Sequence, residues 1–588
     1  MSQSGQTRLM PTRAWASSLV LGSCLLLTPP LAAQRAAVEA KNGMVVSAQE
    51  LASQVGVEIL KKGGNAVDAA IATGFTLAVV LPQAGNIGGG GFMVIHTAAG
   101  KDTVIDYRER APKRATRDMY LGPDGNTIKG EGSSTLGWKA GGVPGTVAGF
   151  HMAYQKYGSG KLTWAELVEP AAKLAFKGFP TTQGLAAALK KDMDKLKMYP
   201  DTKRIFLNDG KGYEAGQPFV QKELGETLKR IQHDPRDFYE GKTAHLIADA
   251  MASHGGSIGL EDLKGYKATE REPLRTKYRG YDIVTMPPPS SGGIVISMIL
   301  RMVEPYDVGA MGAGSAAKFH LFAEAQKRAY RDRAEYMGDT DFVKVPVDKL
   351  LDPAYLKSRM ADFDPDKATP ANLIKPGIGP FVFAPGSESH ETTQFSVVDK
   401  AGNAVSNTYT LNDLWGSRVT IPGAGFLLND EMDDFTAKVG VPNFYGLLQS
   451  EANAIVPGKR PLSSMSPTIV SKDGKVVLVT GSPGGSTIIN TVLEIITNVI
   501  DHKMPVMQAV EYPRFHNQWM PDLIFYERYG MSPDSMAKLT AMGYTLKEGT
   551  PWGAPYQGDG ETVGVDWEKG LFLGATDPRN PDGRAIGY

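Results

Sequence analysis

The alternation of apolar and polar residues divides the chain into a largely helical first part and a strand-rich last third. Residues 46–81 are rich in Ala and Gly and carry an apolar repeat that predicts closely packed helices. The repeat ends at Pro82, and after four glycines at 88–91 the segment 92–96 (FMVIH) has the composition of a strand. Residues 162–350 predict mainly helices with Lys, Glu and Asp on their exposed faces.

From Thr392 onward, short β-branched and aromatic segments alternate with turns, which predicts strands. Helical patterns return at about residues 486–501 and 533–542. A length of 588 residues suggests several domains of about 100 to 200 residues each. The sequence has no long Pro/Ser-rich or charged linker, so a single large α/β body is the alternative.

Residues 392–411 predict a hairpin, because two β-branched and aromatic segments flank the turn sequence DKAGN. In the register that this turn gives, Thr392 lies opposite Thr410; a shift of one residue is the alternative and turns Thr410 to the other face. The predicted register places a hydroxyl beside Thr392, with Asn412 just beyond it. Taken alone, a Thr-Thr pair that opens a strand is ordinary strand composition.

A second hairpin is predicted around the sequence Asp-Gly at 473–474, which is a strong signal for a two-residue turn. Counting outward from this turn places Ser463 and Ser464 beside Gly484 and Pro483. The hairpin therefore predicts that two serine hydroxyls and a glycine loop lie close together.

The glycine loop at 484–485 leads directly into a helical pattern at 487–501, with Ser486 predicted as the N-cap. Backbone N–H groups at the start of a helix form a suitable site for an anion or for a developing oxyanion. A Gly-Gly pair before a helix is otherwise an ordinary tight turn, so the loop gains meaning from the hydroxyl groups predicted beside it.

The N-terminus predicts a secretory signal peptide over residues 1–33. Arg8 and Arg13 precede the apolar run 18–27, and a PPLAA sequence ending in small residues follows. This order is typical of a secretory leader, and the apolar run is too short to span a membrane. The chain is therefore expected to be secreted into a periplasm, with a mature N-terminus near Gln34.

The one cysteine, Cys24, lies inside this leader, so the mature protein has no thiol for a disulfide, for catalysis or for a metal. The alternative is a lipoprotein box ending at Cys24. The apolar residues that continue past the cysteine argue against it. The formal net charge of +0 gives no global basic field for nucleic acid. The nine histidines show no metal-ligand spacing, so no metal and no cofactor is expected.

The four glycines at 88–91 lack the Gly-Lys-Ser/Thr ending of a phosphate-binding loop and the context of a dinucleotide-binding fingerprint. Close backbone packing near the site is therefore predicted for them. No later stretch has the roughly 18 uninterrupted apolar residues that a spanning helix needs. Because the net charge of zero gives no basic field for nucleic acid or an anionic membrane, a small-molecule partner is expected.

Distinctive sequence blocks follow one another in order along most of the chain. They are 88–92 (GGGGF), 106–109 (DYRE), 142–145 (GVPG), 262–263 (DL) with Tyr266, 289–293 (PSSGG), 390–399 (HETTQFSVVD), 408–412 (TYTLN), 425–435 (GFLLNDEMDDF), 459–468 (KRPLSSMSPT) and 481–485 (GSPGG). In this order the blocks resemble the γ-glutamyltransferase family, whose members are N-terminal nucleophile hydrolases. The resemblance covers residues 37–588.

The resemblance implies an α+β fold, a four-layer αββα sandwich of the N-terminal nucleophile hydrolase type, formed jointly by two subunits cut from one precursor. Cleavage between Glu391 and Thr392 gives a large subunit of residues 34–391 and a small catalytic subunit of residues 392–588, which form a heterodimer. The Thr392 hydroxyl attacks the preceding carbonyl. The new α-amine, with a typical pKa of about 7.7 to 8.0, then serves as the base for its own hydroxyl.

The resemblance also implies the substrate, a γ-glutamyl amide such as glutathione, whose acyl group passes to water or to an amino-acid or dipeptide acceptor. A γ-glutamyl group carries an α-carboxylate and an α-ammonium, so the site needs both a cation and carboxylates. The resemblance assigns the carboxylate to Arg108, Ser463 and Ser464, the ammonium to Asn412, Glu431 and Asp434, the support of the nucleophile to Thr410, and the oxyanion site to Gly484 and Gly485.

Arg108 suits its role because a guanidinium binds a carboxylate through two parallel hydrogen bonds. Its alternative is a surface ion pair with Asp106 or Glu109. Position 431 is Gln in some relatives, and either side chain accepts a hydrogen bond from an ammonium.

The segment 439–450 mixes Gly, Pro and aromatic residues and resembles a lid in which Tyr445 shields the nucleophile from water; an ordinary surface loop is the alternative. Two rival functions remain. A glutaryl or cephalosporin acylase of the same fold has less need of Glu431 and Asp434, because glutaryl has no α-amine. A binding protein without catalysis is disfavoured because Thr392 and the glycine loop 484–485 are both present.

Overall fold

The structure, a computed structural model, describes residues 35–379, 391–438, 441 and 447–588. The predicted leader 1–33 and Tyr445 lie outside the described residues. In chain order the strands are β1 Val38–Ala40, β2 Gly43–Ser47, β3 Gly90–His96, β4 Asp102–Asp106, β5 Phe179–Pro180, β6 Pro218–Phe219, β7 Thr269–Arg271, β8 Leu274–Tyr278, β9 Tyr281–Thr285, β10 Glu391–Asp399, β11 Ala404–Asn412, β12 Thr468–Lys472, β13 Lys475–Thr480, β14 Phe515–His516, β15 Ile524–Tyr526, β16 Leu546–Glu548, β17 Thr562–Asp566, β18 Leu571–Ala575 and β19 Arg584–Gly587.

The helices occupy both the first and the last part of the chain. They are α1 Glu50–Lys61, α2 Ala66–Val80, α3 Thr146–Tyr157, α4 Trp164–Lys177, α5 Gln183–Lys191, α6 Met193–Leu196, α7 Pro200–Phe206, α8 Lys222–His233, α9 Asp237–Glu240, α10 Lys242–His254, α11 Leu260–Gly265, α12 Gly292–Val303, α13 Val308–Met311, α14 Ala316–Tyr336, α15 Val347–Leu350, α16 Pro353–Arg359, α17 Ile488–Ile500, α18 Val506–Glu511 and α19 Pro533–Ala541. No helix in the described part of the chain combines the length and the apolar character that a membrane span requires.

Two seven-stranded sheets form the centre of the unit that comprises Ala37–Tyr588. One sheet has the order β19-β2-β10-β11-β3-β4-β7, and the other has the order β1-β18-β17-β13-β12-β9-β8. Each sheet therefore combines strands from before and after Thr392.

Side chains on the two faces of a strand enter different cores, because successive residues point to opposite faces of a sheet. On β10, Val397 packs with residues of α1 and α2, whereas Val398 packs with Ile469 and Val563 of the other sheet. On the far face of that other sheet, Val470 joins residues of α12, α14 and α17. The order helix, sheet, sheet, helix confirms the predicted αββα fold class.

The predicted register of the first hairpin is confirmed, because β10 and β11 pair antiparallel with Thr392 opposite Thr410. A register shift between Glu391 and Thr392 brings Glu391 opposite Asn412. The nucleophile candidate therefore lies at the irregular end of an otherwise regular and buried strand pair.

The second hairpin turns at 473–474 as predicted, with Lys472 opposite Lys475. The predicted pairing of the residues farther from this turn is wrong. An irregularity between Val470 and Ser471 shifts the register, and β12 begins only at Thr468. Ser463 forms a bridge with Ser290, so the strand pairing that the prediction extended to Ser463 and Ser464 ends at Thr468.

Residues 162–350 were predicted to be mainly helical, but this region also contains five strands, β5 to β9. Strand β8 (LRTKY) lies at the edge of its sheet, and its two end residues are buried whereas its Arg and Lys are exposed. Charged side chains on edge strands prevent association with other chains, and here they make the segment resemble the exposed face of a helix.

Candidate active site

Thr392 lies one residue inside the start of β10, and its side chain is 7% exposed. Its Oγ1 is 3.5 Å from Oγ1 of Thr410, and that oxygen accepts a hydrogen bond from the N–H of Asn412 at 2.8 Å. Strand pairing thus fixes a second hydroxyl beside the nucleophile candidate. The same hydrogen bond fixes Asn412, whose backbone adopts a positive φ of 89°.

Asn86 and the glycines at 88–91 hold the Thr410 strand from the neighbouring side. Nδ2 of Asn86 donates to the carbonyl of Thr410 at 2.9 Å, and Oδ1 of Asn86 accepts from the N–H of Gly89 at 3.0 Å. A Cβ on Gly89 would lie 2.0 Å from the Thr410 carbonyl oxygen. Close backbone approach, as predicted, is what these glycines permit.

Arg108 is fully enclosed just after β4, with 1% of its surface exposed. Its Nη1 contacts Glu431 and its Nη2 contacts Asp434, while Glu109 lies 3.7 Å from Nη1. The alternative of a surface ion pair is therefore wrong. The carboxylate of Asp106 instead pairs with other guanidinium groups and accepts the backbone N–H of Arg108 at 3.0 Å.

The same guanidinium reaches the segment that carries the two predicted serines. Arg108 donates to the carbonyl oxygens of Pro461 at 3.4 Å and Leu462 at 3.2 Å. Ser463 and Ser464 follow immediately, with 2% and 5% of their surfaces exposed, and the Ser463 hydroxyl accepts from the N–H of Met465 at 3.1 Å.

Main-chain contacts hold this serine segment and Asn412 in place. The carbonyl of Ser463 accepts from the N–H of Ser291 at 2.7 Å. Nδ2 of Asn412 donates to the carbonyl of Asp430 at 2.9 Å. No hydrogen-bond partner for Oδ1 of Asn412 is found among the described residues, so this buried oxygen retains an acceptor position.

Three carboxyl groups surround the buried guanidinium of Arg108. Burial lowers the pKa of Arg108, but Glu431, Asp434 and Glu109 raise it by more, so the guanidinium stays charged. Burial raises the pKa of Glu431 to about 8, against the attraction of Arg108 and with the repulsion of Glu109 adding to the rise. Burial likewise raises the pKa of Glu109 to about 8. A ligand with an ammonium group would favour the ionised forms of these carboxyls.

Gly484 and Gly485 form a turn before α17 with φ values of 121° and 50°, a conformation that glycine adopts readily because it has no Cβ. The predicted N-cap is wrong, because α17 begins at Ile488 with Thr487 in the capping position, and the Ser486 hydroxyl donates to Gln518 instead. A short 3-10 helical turn, Gly485–Thr487, lies between the glycine loop and the first residue of α17. Among the described residues, no acceptor for the N–H of Gly484 is found.

A cavity of about 290 Å³ connects this loop with the nucleophile candidate. Thr392, Gly484, Trp552, Tyr556 and Asp559 are among its lining residues. None of the residues predicted to bind the γ-glutamyl group lines this cavity.

Several residues near the site were not predicted from the sequence. Glu109 enters the prediction only as an alternative partner of Arg108, although its place directly after that arginine is a signal. Asn86, Trp552 and Asp559 carry no comparable signal, because the contacts that bring them to the site come from distant parts of the chain. No group of three or more His, Cys, Asp or Glu side chains suited to a metal ion occurs in the ranges that the structure describes.

Comparisons with known proteins show the family to which the chain belongs. The family profile described as Gamma-glutamyltranspeptidase matches residues 52–587. A glutathione hydrolase proenzyme of Pseudomonas sp. (strain A14) is 49% identical over 96% of this chain and 97% of its own length. The glutathione hydrolase proenzyme of Escherichia coli (strain K12) is also 49% identical, over 94% of this chain and 93% of its own length.

A solved structure, the cephalosporin acylase from Bacillus halodurans, superposes with a TM-score of 0.82 at 26% identity and covers 96% of this chain and 98% of its own. The whole folded unit is therefore shared with these proteins, whereas the higher sequence identity lies with the glutathione hydrolase proenzymes. The chain belongs to the gamma-glutamyltranspeptidase family.

Proposed function

We propose that the chain is a self-processing γ-glutamyltransferase that cleaves γ-glutamyl amides such as glutathione through Thr392. The observation that carries the proposal is the hydroxyl pair of Thr392 and Thr410, 3.5 Å apart at the start of β10 and next to the Gly484 loop. A nucleophile, a supporting hydroxyl and backbone N–H donors are the groups that acyl transfer requires.

Processing begins when Oγ1 of Thr392 attacks the carbonyl carbon of Glu391. The C–N bond breaks, the acyl group moves to Oγ1 as an ester, and the hydroxyl proton passes to the freed α-amine. Water then hydrolyses the ester, which leaves a carboxylate on Glu391 and a free hydroxyl and amine on Thr392. The large subunit is residues 34–391 and the small subunit is residues 392–588.

Turnover repeats this chemistry on a γ-glutamyl amide. Unprotonated α-amine of Thr392, with a typical pKa of about 7.7 to 8.0, takes the proton of its own hydroxyl as Oγ1 attacks the γ-carbonyl carbon. The leaving amine takes that proton, and a γ-glutamyl ester remains on Thr392. The N–H groups of Gly484 and Gly485 stabilise the negative charge on the carbonyl oxygen.

The α-carboxylate and α-ammonium of the substrate enter the Arg108 cluster by exchange of partners. In the structure Arg108 contacts Glu431 and Asp434 directly. A zwitterion offers each of these groups a partner of opposite charge, so the carboxylate takes over the guanidinium while the ammonium takes over the two acids. Ser463, Ser464 and the free Oδ1 of Asn412 add neutral hydrogen bonds.

The cavity of about 290 Å³ beside Gly484 receives the leaving group and then the acceptor. It contacts Thr392 but none of the proposed γ-glutamyl contacts, which is the position that the second product of an amide cleavage occupies. Trp552 and Tyr556 supply flat apolar surface there. Amino acids and dipeptides are the acceptors proposed for this space.

The direct test is the variant pair Thr392→Ala and Thr392→Ser, analysed by denaturing gel and N-terminal sequencing. Wild-type protein should give two chains, the smaller beginning Thr-Thr-Gln-Phe. Thr392→Ala should stay uncut and inactive, whereas Thr392→Ser keeps a hydroxyl and should still be cut. Cleavage of Thr392→Ala at the same bond would disprove self-processing by this hydroxyl.

An acylase for glutaryl amides is the second candidate, favoured by the likeness to the Bacillus halodurans cephalosporin acylase. Glutaryl has no α-ammonium, and the buried acids Glu431 and Asp434 would then lack a ligand partner. Comparing γ-glutamyl and glutaryl anilides of the same leaving group decides between them. Faster turnover of the glutaryl compound would favour the acylase.

The segment 439–450 is proposed as a lid, on the resemblance alone, with Tyr445 over the nucleophile. A lid that excludes water lengthens the life of the acyl-enzyme and favours an amine acceptor. Deletion of residues 440–449 should lower the ratio of transfer to hydrolysis with glycylglycine as acceptor. An unchanged ratio in a variant that still matures would show that the segment is no lid.

Secretion to the periplasm through a signal peptide at 1–33 is likewise proposed from the sequence. N-terminal sequencing of the large subunit from cells should begin near Gln34. A large subunit that begins at Met1 would contradict removal of a leader.

A further inference from the structure

A cluster of buried carboxyl groups lies directly behind the Gly484 loop and has no part in the chemistry described above. Glu561 and Asp577 are completely buried, and Asp559 lines the cavity beside Thr392. No N–H or hydroxyl donor among the described residues reaches Oδ1 of Asp559 or either carboxyl oxygen of Glu561. The two side chains interact directly, since each influences the pKa of the other, and two carboxyl groups can share a hydrogen bond only when one of them holds a proton.

The surrounding charges leave room for one proton in this pair. Arg514 contacts Asp577 at 2.5 Å, and Arg579 contacts Asp577 at 3.0 Å and also pairs with Glu527. Both guanidinium groups are therefore engaged by carboxylates other than the pair. With Glu561 protonated the six groups carry a net charge of about −1, and its ionisation would add a second uncompensated negative charge in a buried site.

Asp559 is joined to the glycine loop through its main chain. Its N–H donates to Oγ of Ser482 at 2.9 Å, and that hydroxyl donates to the carbonyl of Pro483 at 2.7 Å. A Cβ on Gly484 would lie 3.0 Å from Cα of Gly558, so the two segments are in direct backbone contact. A displacement of residues 558–559 must therefore move Gly484.

We propose that Glu561 is a positioning residue for the reaction: it donates its proton to Asp559, and this hydrogen bond keeps the Ser482–Gly485 loop in its place beside Thr392. The inference rests on the proposed function, because it needs Gly484 to receive the oxyanion. When Glu561 loses its proton, the two carboxylates repel each other, Asp559 moves away and the loop follows.

The charges around the pair keep this proton bound at neutral pH. Burial, together with Asp559 and Asp577, raises the pKa of Glu561 well above its usual range. Burial also raises the pKa of Asp559 to about 7, with Asp577 contributing. The proton is therefore retained above the usual titration range of a glutamate and lost as the pH rises further, and the positioning should fail with its loss.

The test is Glu561→Gln in the mature enzyme, because a glutamine amide keeps a donor for Asp559 and cannot ionise. Initial rates with a chromogenic γ-glutamyl anilide give kcat and KM from about pH 6 to pH 10. Wild-type kcat should fall on the alkaline side. The kcat of Glu561→Gln should be within about threefold of the wild-type value at neutral pH, and its alkaline fall should begin at least about one pH unit above that of the wild type. The midpoint of thermal unfolding should rise in this variant at pH 8 and not at pH 4, where an unfolded Glu also holds its proton.

Glu561→Ala removes the donor, so kcat should fall by about tenfold or more, with KM within about twofold, because oxyanion stabilisation acts on the transition state. Glu568 is exposed and lies between β17 and β18. The variant Glu568→Gln is therefore the matched control and should follow the wild-type profile. If Glu561→Ala does not fold, the Glu561→Gln profile decides alone.

A Glu561→Gln variant whose kcat falls at the same pH as wild type would overturn the inference, as would a wild-type kcat that stays constant to about pH 10. Loss of kcat and rise of KM together in Glu561→Ala would indicate a general structural role and would also overturn it. Failure of the proposed function is distinguishable, because wild-type enzyme would then show no γ-glutamyl activity at any pH.

Discussion

At the scale of single residues, the candidate site depends on charges that are buried in contact with one another. Arg108 is surrounded by three carboxyl groups and two main-chain carbonyls. A buried ion pair contributes little net stability, because desolvation offsets the attraction. For the zwitterionic ligand proposed above, both charged partners are already in place.

Replacing Arg108 by Lys should weaken γ-glutamyl binding. The guanidinium reaches Glu431 and Asp434 with two different nitrogens, and an ammonium is a single point charge that does not reproduce this fork. Loss of one charge-assisted contact costs on the order of 1.5 to 3 kcal/mol, so KM should rise about tenfold or more while kcat changes little.

Steady-state kinetics on γ-glutamyl anilide checks this expectation. Arg114→Lys is the matched control, since Arg114 is exposed in the connection that follows Arg108. Unchanged KM and kcat in a fully processed Arg108→Lys enzyme would remove Arg108 from the site.

At the scale of elements, strand packing sets the position of the nucleophile candidate. Gly89 lies where β3 meets β11, and a methyl group there would overlap the carbonyl of Thr410 at 2.0 Å. Gly89→Ala should therefore push Thr410 away from Thr392. We expect slower maturation and a loss of stability of about 1 to 3 kcal/mol, as in other overpacked cores.

Gly265→Ala is a suitable control, because a Cβ at this position has no neighbour within 4 Å. The half-time of precursor cleavage and the thermal unfolding midpoint of both variants give the comparison. Equal behaviour of the two variants would mean that the contact between β3 and β11 does not position Thr410.

The elements also show how much of the site could be predicted from the sequence. The pairing of Thr392 with Thr410 depends on a local turn. The alternation of side chains along the two strands and the residues of the turn were therefore sufficient to predict it. Nothing local connects Arg108 with Glu431, which lies 323 residues away, and only the resemblance joined them. The second hairpin failed beyond Val470 because an irregularity in the strand leaves no sequence pattern.

At the scale of the whole molecule, both sheets interleave strands that precede and follow the proposed cleavage point. β10 lies between β2 and β11, and β18 lies between β1 and β17. The apolar layer between the sheets joins Met44 and Phe92 of the first part with Val398 and Val563 of the second. Neither subunit can form either sheet from its own strands alone.

Cleavage should therefore leave the two chains tightly associated. Mature enzyme should elute as a single species in size-exclusion chromatography even in about 1 M salt, because strand hydrogen bonds and apolar burial are little affected by ionic screening. Unfolding of the mature enzyme separates two chains, so its thermal midpoint should rise with protein concentration, whereas the uncut Thr392→Ala chain should show no such dependence. Separation of the subunits in native buffer, or a midpoint of the mature enzyme independent of concentration, would contradict the interleaved assembly.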